Sequence, residues 1–190
     1  MRIKEILKKS WDFLREDSWS SLIVTLVLAF IIIKYVFFPL LSFLTGTSLP
    51  LVIVESCSMY HSTNIDDVLK NPIYSQNGIS LDDSKSWPFQ YGLGKGDVVF
   101  AVGAKNVKVG DVIIFQADTA YPIIHRVIKI DNGLITTKGD HNRISIPGVE
   151  ESISQDRLIG KAVFRVPFVG WAKLIFYEFS RNPSERGLCV

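Results

Sequence analysis

Hydrophobic and polar positions divide the chain into three stretches with different periods. In the first 20 residues Ile3, Ile6, Leu7, Trp11 and Leu14 recur at helical spacing among Lys4, Lys8, Lys9 and Arg15. This predicts an amphipathic helix at a membrane surface, or a plain helical extension of the apolar run next to it. Residues 22–44, LIVTLVLAFIIIKYVFFPLLSFL, carry a single charge, Lys34. As a helix these 23 residues reach roughly 34 Å at about 1.5 Å each, enough for a hydrocarbon core of about 30 Å. Lys34 carries an insertion cost of about 2.5–3.5 kcal/mol, relieved by snorkelling, by tilt or by a partner subunit. Pro39 is expected to kink the helix near its exit, which bilayer helices tolerate. A cleavable signal peptide would have an apolar region of only about 7–15 residues before a small-residue cleavage site. Here the run is longer, and no such site comes after it.

Beyond Thr45 the pattern shifts to short runs of β-branched and aromatic residues punctuated by glycine. LPLVIVES, GDVVFAV, GDVIIFQ, YPIIHRVIKI, GLITTKGD and IGKAVFRV are six candidate strands, so the outer part is mainly β. Three segments result: 1–20 amphipathic and cytoplasmic, 21–44 a transmembrane anchor, 45–190 an extracytoplasmic β-rich domain. Orientation follows from charge. Arg2, Lys4, Lys8, Lys9 and Arg15 precede the span and no Lys or Arg follows it until Lys70, which keeps the N-terminus cytoplasmic. Residues 60–95 form a long polar connection with a short helix expected near 65–70. A connection of that size suggests a lid or a partly disordered segment. Residues 166–180 are too short and too charged for a second span. They contact lipid through Trp171, Phe176 and Tyr177, or close the core.

Composition narrows the class. A hydrophobic share of 47% is high for a water-soluble domain, and a net charge of +2 with no basic, aromatic-interleaved stretch excludes nucleic acid as a partner. Cys57 and Cys189, the two cysteines, are too few for a disulfide framework and lack zinc-type spacing, which leaves the redox compartment open. The Gly96-Asp97 and Gly110-Asp111 repeats read as turns leading into buried strands.

The candidate chemistry starts at Ser56-Cys57-Ser58-Met59, where the first outer strand runs out. A serine needs a base within hydrogen-bond reach. Alternation in an extended segment puts Ser56 and Ser58 on one face and Cys57 on the other, which favours Ser58 as nucleophile. Of the three histidines, His61 and His141 lie in polar turns and are expected at the surface. His125 is embedded in an apolar strand. Asn132-Gly133 predicts a tight hairpin. Continued without a bulge, its register sets His125 opposite Asp140, close enough for a carboxylate to orient the imidazole.

These residues resemble type I signal peptidases. The resemblance rests on the S-x-S-M serine after an N-terminal span, the Gly-Asp strand starts, His125-Arg126-Val127, and the Lys138-Gly139-Asp140-His141-Asn142 run. Histidine where bacterial enzymes carry lysine makes the chain similar to the archaeal and endoplasmic-reticulum branch. The resemblance implies a signal-peptidase-like β-barrel or sandwich on the outer or lumenal face of a single-pass cell-membrane protein. Ser58 would attack, His125 serve as base and Asp140 as acid, with the Ser58 backbone N–H and the Ser56 hydroxyl holding the oxyanion. It implies no metal or organic cofactor. The substrates implied are secretory preproteins with small residues at −1 and −3, with membrane lipids and room for partner subunits besides. The chain departs from the family pattern at Cys57, usually glycine, and at Ile146, where relatives often carry a second acid. Glu150, Glu151 or Asp156 then stand as alternatives to Asp140. A Ser-Lys dyad through Lys129, a pilin-processing or self-cleaving relative, and a non-catalytic binding module of the same fold are the competing readings.

Overall fold

The structure is a computed structural model that describes residues 3–189. The chain forms two compact units that meet in sequence at Leu44 and Thr45.

In the first unit, helix α1 (Ile3–Leu14) buries none of its side chains. Ser18 then caps α2 (Trp19–Ile32) by accepting from the Ser21 N–H, which meets one of the orphan donors of a helix start. The helix continues through a π-helical turn (Ile33–Phe37) into α3 (Phe38–Thr45). Pro39 explains that turn. A proline lacks an N–H and crowds the carbonyl four residues back, and the wider turn, closed by the Phe38 N–H on the Ile33 carbonyl, relieves the crowding. Over Trp19–Thr45 the helix is long and apolar enough to cross a membrane. The Lys34 ammonium lies 5.6 Å from the Phe30 ring and 5.3 Å from the Tyr35 ring, so aromatic faces meet part of its charge.

The second unit is one curled antiparallel sheet. Its strands are β1 (Leu51–Ile53), β2 (Val98–Val102), β3 (Val112–Phe115), β4 (Ile123–Asp131), β5 (Leu134–Lys138) and β6 (Leu158–Val166), in the order β1-β2-β6-β3-β4-β5. All six candidate strands of the sequence appear, and among the described residues β1 pairs on one side only, with β2. The repeated Gly-Asp starts are structural. Gly96 and Gly110 have φ of +89° and +93°, and a Cβ at either would lie about 2 Å from an indole, Trp171 and Trp87 respectively. Asp97 accepts from the Gly94 N–H and the Arg165 guanidinium, and Asp111 accepts from the Lys108 N–H.

The β4–β5 hairpin turns at Asn132 and Gly133, both at positive φ, with Asp131 opposite Leu134. Its register then shifts between Val127 and Lys129, so Arg126 faces Lys138. The bulged residue, Ile128, is buried in a separate cluster with Ile65, Tyr74, Ile79 and Trp87. Those side chains belong to the 60–95 connection, which is ordered. It folds into α4 (Ile65–Val68), α5 (Pro72–Gln76) and α6 (Leu81–Ser84) around its own apolar cluster. The lid or disordered segment expected there is therefore corrected: burial of Tyr74 and Trp87 anchors it. Segment 166–180 contains α7 (Trp171–Leu174), whose Leu174 is buried, while Phe168, Phe176 and Phe179 stay exposed.

Candidate active site

Ser58 comes after β1 in a tight turn closed by the Tyr60 N–H on the Cys57 carbonyl at 3.0 Å. Three contacts fix this turn. Met59 is fully buried in the core with Val54 and Leu93, the Leu93 N–H bonds the Met59 carbonyl at 2.9 Å, and the His141 N–H bonds the Ser58 carbonyl at 2.9 Å. The Ser56 and Ser58 hydroxyls lie 3.1 Å apart, and both face a groove of about 650 Å³. Cys57, between them, is turned away and is joined to Cys189 by a disulfide with a Cα–Cα separation of 5.5 Å. Two cysteines too few for a framework thus make one long-range tie.

From β4, His125 reaches the same groove. It is 3% exposed, and its Nε2 lies 2.8 Å from the Ser58 Oγ. Its Nδ1 meets the Glu150 carboxylate, so the tautomer with the proton on Nδ1 leaves Nε2 free to accept the serine proton. Glu150 is fully buried. Its Oε1 also accepts from the Thr137 hydroxyl at 3.0 Å, and its Oε2 from the Ile146 N–H at 2.7 Å. With three donors on two oxygens, the carboxylate is held in one orientation.

Asp140 is not beside His125. The register shift removes the pairing expected of an unbulged hairpin, and Asp140 instead accepts two bonds from Arg126, at 2.9 and 2.7 Å. Burial pushes the Asp140 carboxyl up, but the Arg126 guanidinium and His61 outweigh it and hold it below the usual carboxylate range. His61 is not at the surface either: its side chain is 7% exposed and its Nε2 lies 3.4 Å from Asp140. Arg126 also donates to the carbonyls of Pro88, Phe89 and Gly110, tying the helical connection to the sheet. Of the alternative acids, Glu151 and Asp156 are exposed, and Lys129 pairs with Asp131 in solvent.

Lys138 opens the run that carries the resemblance but has no role assigned to it there; it is fully buried under the Tyr74 ring at 5.1 Å. Its ammonium donates to the carbonyls of Gly139 and Asn142 at 2.8 and 2.7 Å. This curls the loop that presents the His141 N–H to Ser58. Burial pulls the Lys138 ammonium down to about 8, against the upward pull of Asp140 and Glu150.

No family model matches the chain. It is similar to the signal peptidase complex catalytic subunit SEC11 of Ogataea parapolymorpha, 26% identical over an alignment of 155 positions that covers 70% of this chain and 84% of that protein. It is also similar to the signal peptidase complex catalytic subunit SEC11 of Eremothecium gossypii, 32% identical over an alignment of 96 positions that covers 44% of this chain and 58% of that protein.

Proposed function

We propose that this chain, a homologue of the signal peptidase catalytic subunits, is a membrane-anchored serine endopeptidase that removes signal peptides from secretory preproteins. Ser58 is the nucleophile, His125 the general base and Glu150 the acid behind it. The observation that carries this reading is the unbroken run of contacts from the Ser58 hydroxyl through the His125 imidazole to the buried Glu150 carboxylate.

The chemistry derives from that run. His125 Nε2 takes the hydroxyl proton as Ser58 Oγ attacks the scissile carbonyl, and Glu150 stabilises the imidazolium. The same proton then passes to the leaving amine, and water resolves the acyl-enzyme with His125 again as base. The developing oxyanion is met by the Ser58 backbone N–H and the Ser56 hydroxyl. Loss of one such donor costs about 2.7–4 kcal/mol of transition-state stabilisation. Asp140 is a partner of Arg126 and a structural member of the site.

The substrate lies extended along the unpaired edge of β1, which supplies backbone hydrogen bonds. Leu51, Ile53, Ile124 and Ile146 line the groove with branched apolar side chains, which suits small side chains at −1 and −3. The helix over Trp19–Thr45 is the membrane span, with the N-terminus cytoplasmic and the β-rich unit outside or lumenal. Two observations support that orientation: the basic residues before the span, and the Cys57–Cys189 disulfide, a bond that persists on oxidising sides of membranes.

The test is Ser58→Ala in proteoliposomes with a preprotein substrate. Mature product is expected to vanish while expression and thermal unfolding stay as in the parent protein. Undiminished cleavage would overturn the reading.

A further inference from the structure

Resting on the peptidase reading, we propose that the segment 178–189, tied through the Cys57–Cys189 disulfide, is a positioning element for Ser58, and that cleavage is therefore controlled by thiol redox state. The nucleophile lies beyond the end of its own strand. The last backbone exchange of this run with the approach to β2 is Val54 with Gly96 and Asp97. Residues 55–57 then leave the sheet, and Ser58 Oγ must still arrive 2.8 Å from His125 Nε2.

Segment 178–189 holds this stretch at two points. The Arg181 guanidinium bonds the Glu55 carboxylate at 2.6 Å and the Glu55 carbonyl at 3.1 Å. Two residues on, Cys189 is bonded to Cys57, which flanks the nucleophile directly. The segment is itself built in. The Lys95 ammonium, 1% exposed, pairs with Glu178 and donates to the Glu185 carbonyl at 2.6 Å. The Gly187 N–H bonds Glu178 at 2.8 Å, and the Lys95 N–H points at the Cys189 sulfur at 3.4 Å. Because the two serines face the groove, a tie on Cys57 sets the rotation of the peptide on both sides of it.

The disulfide is also placed to be switched. Both cysteines are partly exposed, and most of 182–188 is exposed, so a dithiol has access. Reduction breaks the S–S bond. Two electrons and two protons pass from the dithiol, which closes to its own disulfide, and Cys57 and Cys189 end as thiols. Arg181 and Lys173 then remain as holds on the stretch, at Glu55, and the His141 and Leu93 contacts still hold Ser58 and Met59 on the far side. It is the peptide on the Cys57 side of the serine that loses its fixed rotation toward the imidazole. Misplacement of a reacting group by about 1 Å can cost roughly 10²-fold in rate, and this loss falls on turnover and not on groove binding.

The experiment measures preprotein cleavage by the full chain in proteoliposomes, oxidised, reduced with dithiothreitol, and reoxidised after its removal. Maleimide mass shifts report the thiols, and thermal unfolding verifies that each state is folded at the assay temperature. Expected on reduction is a fall in kcat of about 10- to 100-fold with KM nearly unchanged, restored on reoxidation. Cys189→Ser should sit at the reduced level and ignore dithiothreitol. If that variant is not folded, the reduction and reoxidation cycle of the parent protein decides alone. An oxidised enzyme that cleaves, with both thiols freed and kcat unchanged, overturns the redox control and leaves the peptidase reading standing. An oxidised enzyme that never cleaves overturns both.

Discussion

The Arg126 guanidinium grips Asp140 through two hydrogen bonds, 2.9 and 2.7 Å long, with both side chains fully shielded from solvent. That grip separates two acids that lie only ten residues apart. Asp140 neutralises a buried cation, and Glu150 is left for His125. The two carboxylates should therefore fail in different ways. Glu150→Gln keeps size but removes the charge behind the imidazole, and kcat is expected to fall by about 10³–10⁴-fold, with a smaller stability loss of about 1–3 kcal/mol from the buried donor that the amide leaves without an acceptor. Asp140→Asn strands a buried guanidinium, which costs about 3–5 kcal/mol of stability. Steady-state kinetics and thermal unfolding of both variants check the division of labour.

Ser56 offers a finer test. Its hydroxyl stands 3.1 Å from that of Ser58, the proposed nucleophile. If it donates to the transition-state oxyanion as proposed, its loss should affect kcat, not KM. Ser56→Ala is expected to lower kcat by about 10²–10³-fold, and Ser56→Thr, which keeps the hydroxyl, should recover most of it. Equal losses in both variants would assign Ser56 to packing.

Lys138 makes a prediction about pH. Burial brings its ammonium to about 8 in the folded chain, whereas an unfolded lysine titrates near about 10.4. Between those values the folded state holds fewer protons than the unfolded one, so this group makes stability rise with pH across that window. Below pH 8 both states are protonated and the burial cost is present in full. Unfolding of the parent protein relative to Lys138→Met, followed from pH 7 to pH 10, should show a relative gain of about 1–3 kcal/mol. A flat difference would sink the assignment.

Two glycines separate conformational strain from collision. Gly133 has φ +79° with nothing within 4 Å of an added Cβ, while Gly110 has φ +93° and its Cβ would meet the Trp87 indole nitrogen at 2.2 Å. Gly133→Ala is expected to cost about 1 kcal/mol from the left-handed backbone alone. Gly110→Ala adds overpacking of about 1–3 kcal/mol, and it disturbs the indole that lies over the Arg126 guanidinium. Unfolding midpoints of the two variants measure the difference.

The local pattern is readable where its cause is local. Six strands come from β-branched runs between glycines, and the hairpin turn from Asn132-Gly133. Strand context picks out Ser58 and His125, and they lie 2.8 Å apart. The unreadable part depends on distant partners. Nothing in the alternation of YPIIHRVIKI marks Ile128 as a bulge. It bulges because residues 65–87 build an apolar cluster for its side chain. That one extra residue moves Asp140 off the imidazole. Glu150 arrives from a loop whose shape is set by its own bond to the Ile146 N–H, the position at which the family pattern suggests an acid. Pairing of Cys57 with Cys189 spans 132 residues, and spacing alone carries no signal for it.

The short exposed margin of β1 has a last consequence. Three residues can register only a few amides of an incoming chain, and a segment already committed to a helix or a folded domain has none to offer. Recognition by such a margin is brief and weak for a peptide arriving from bulk water. On the peptidase reading, tethering the chain and its preprotein in the same lipid sheet raises their effective concentration. Weak docking would then suffice, and a trimmed product would depart as readily as it came.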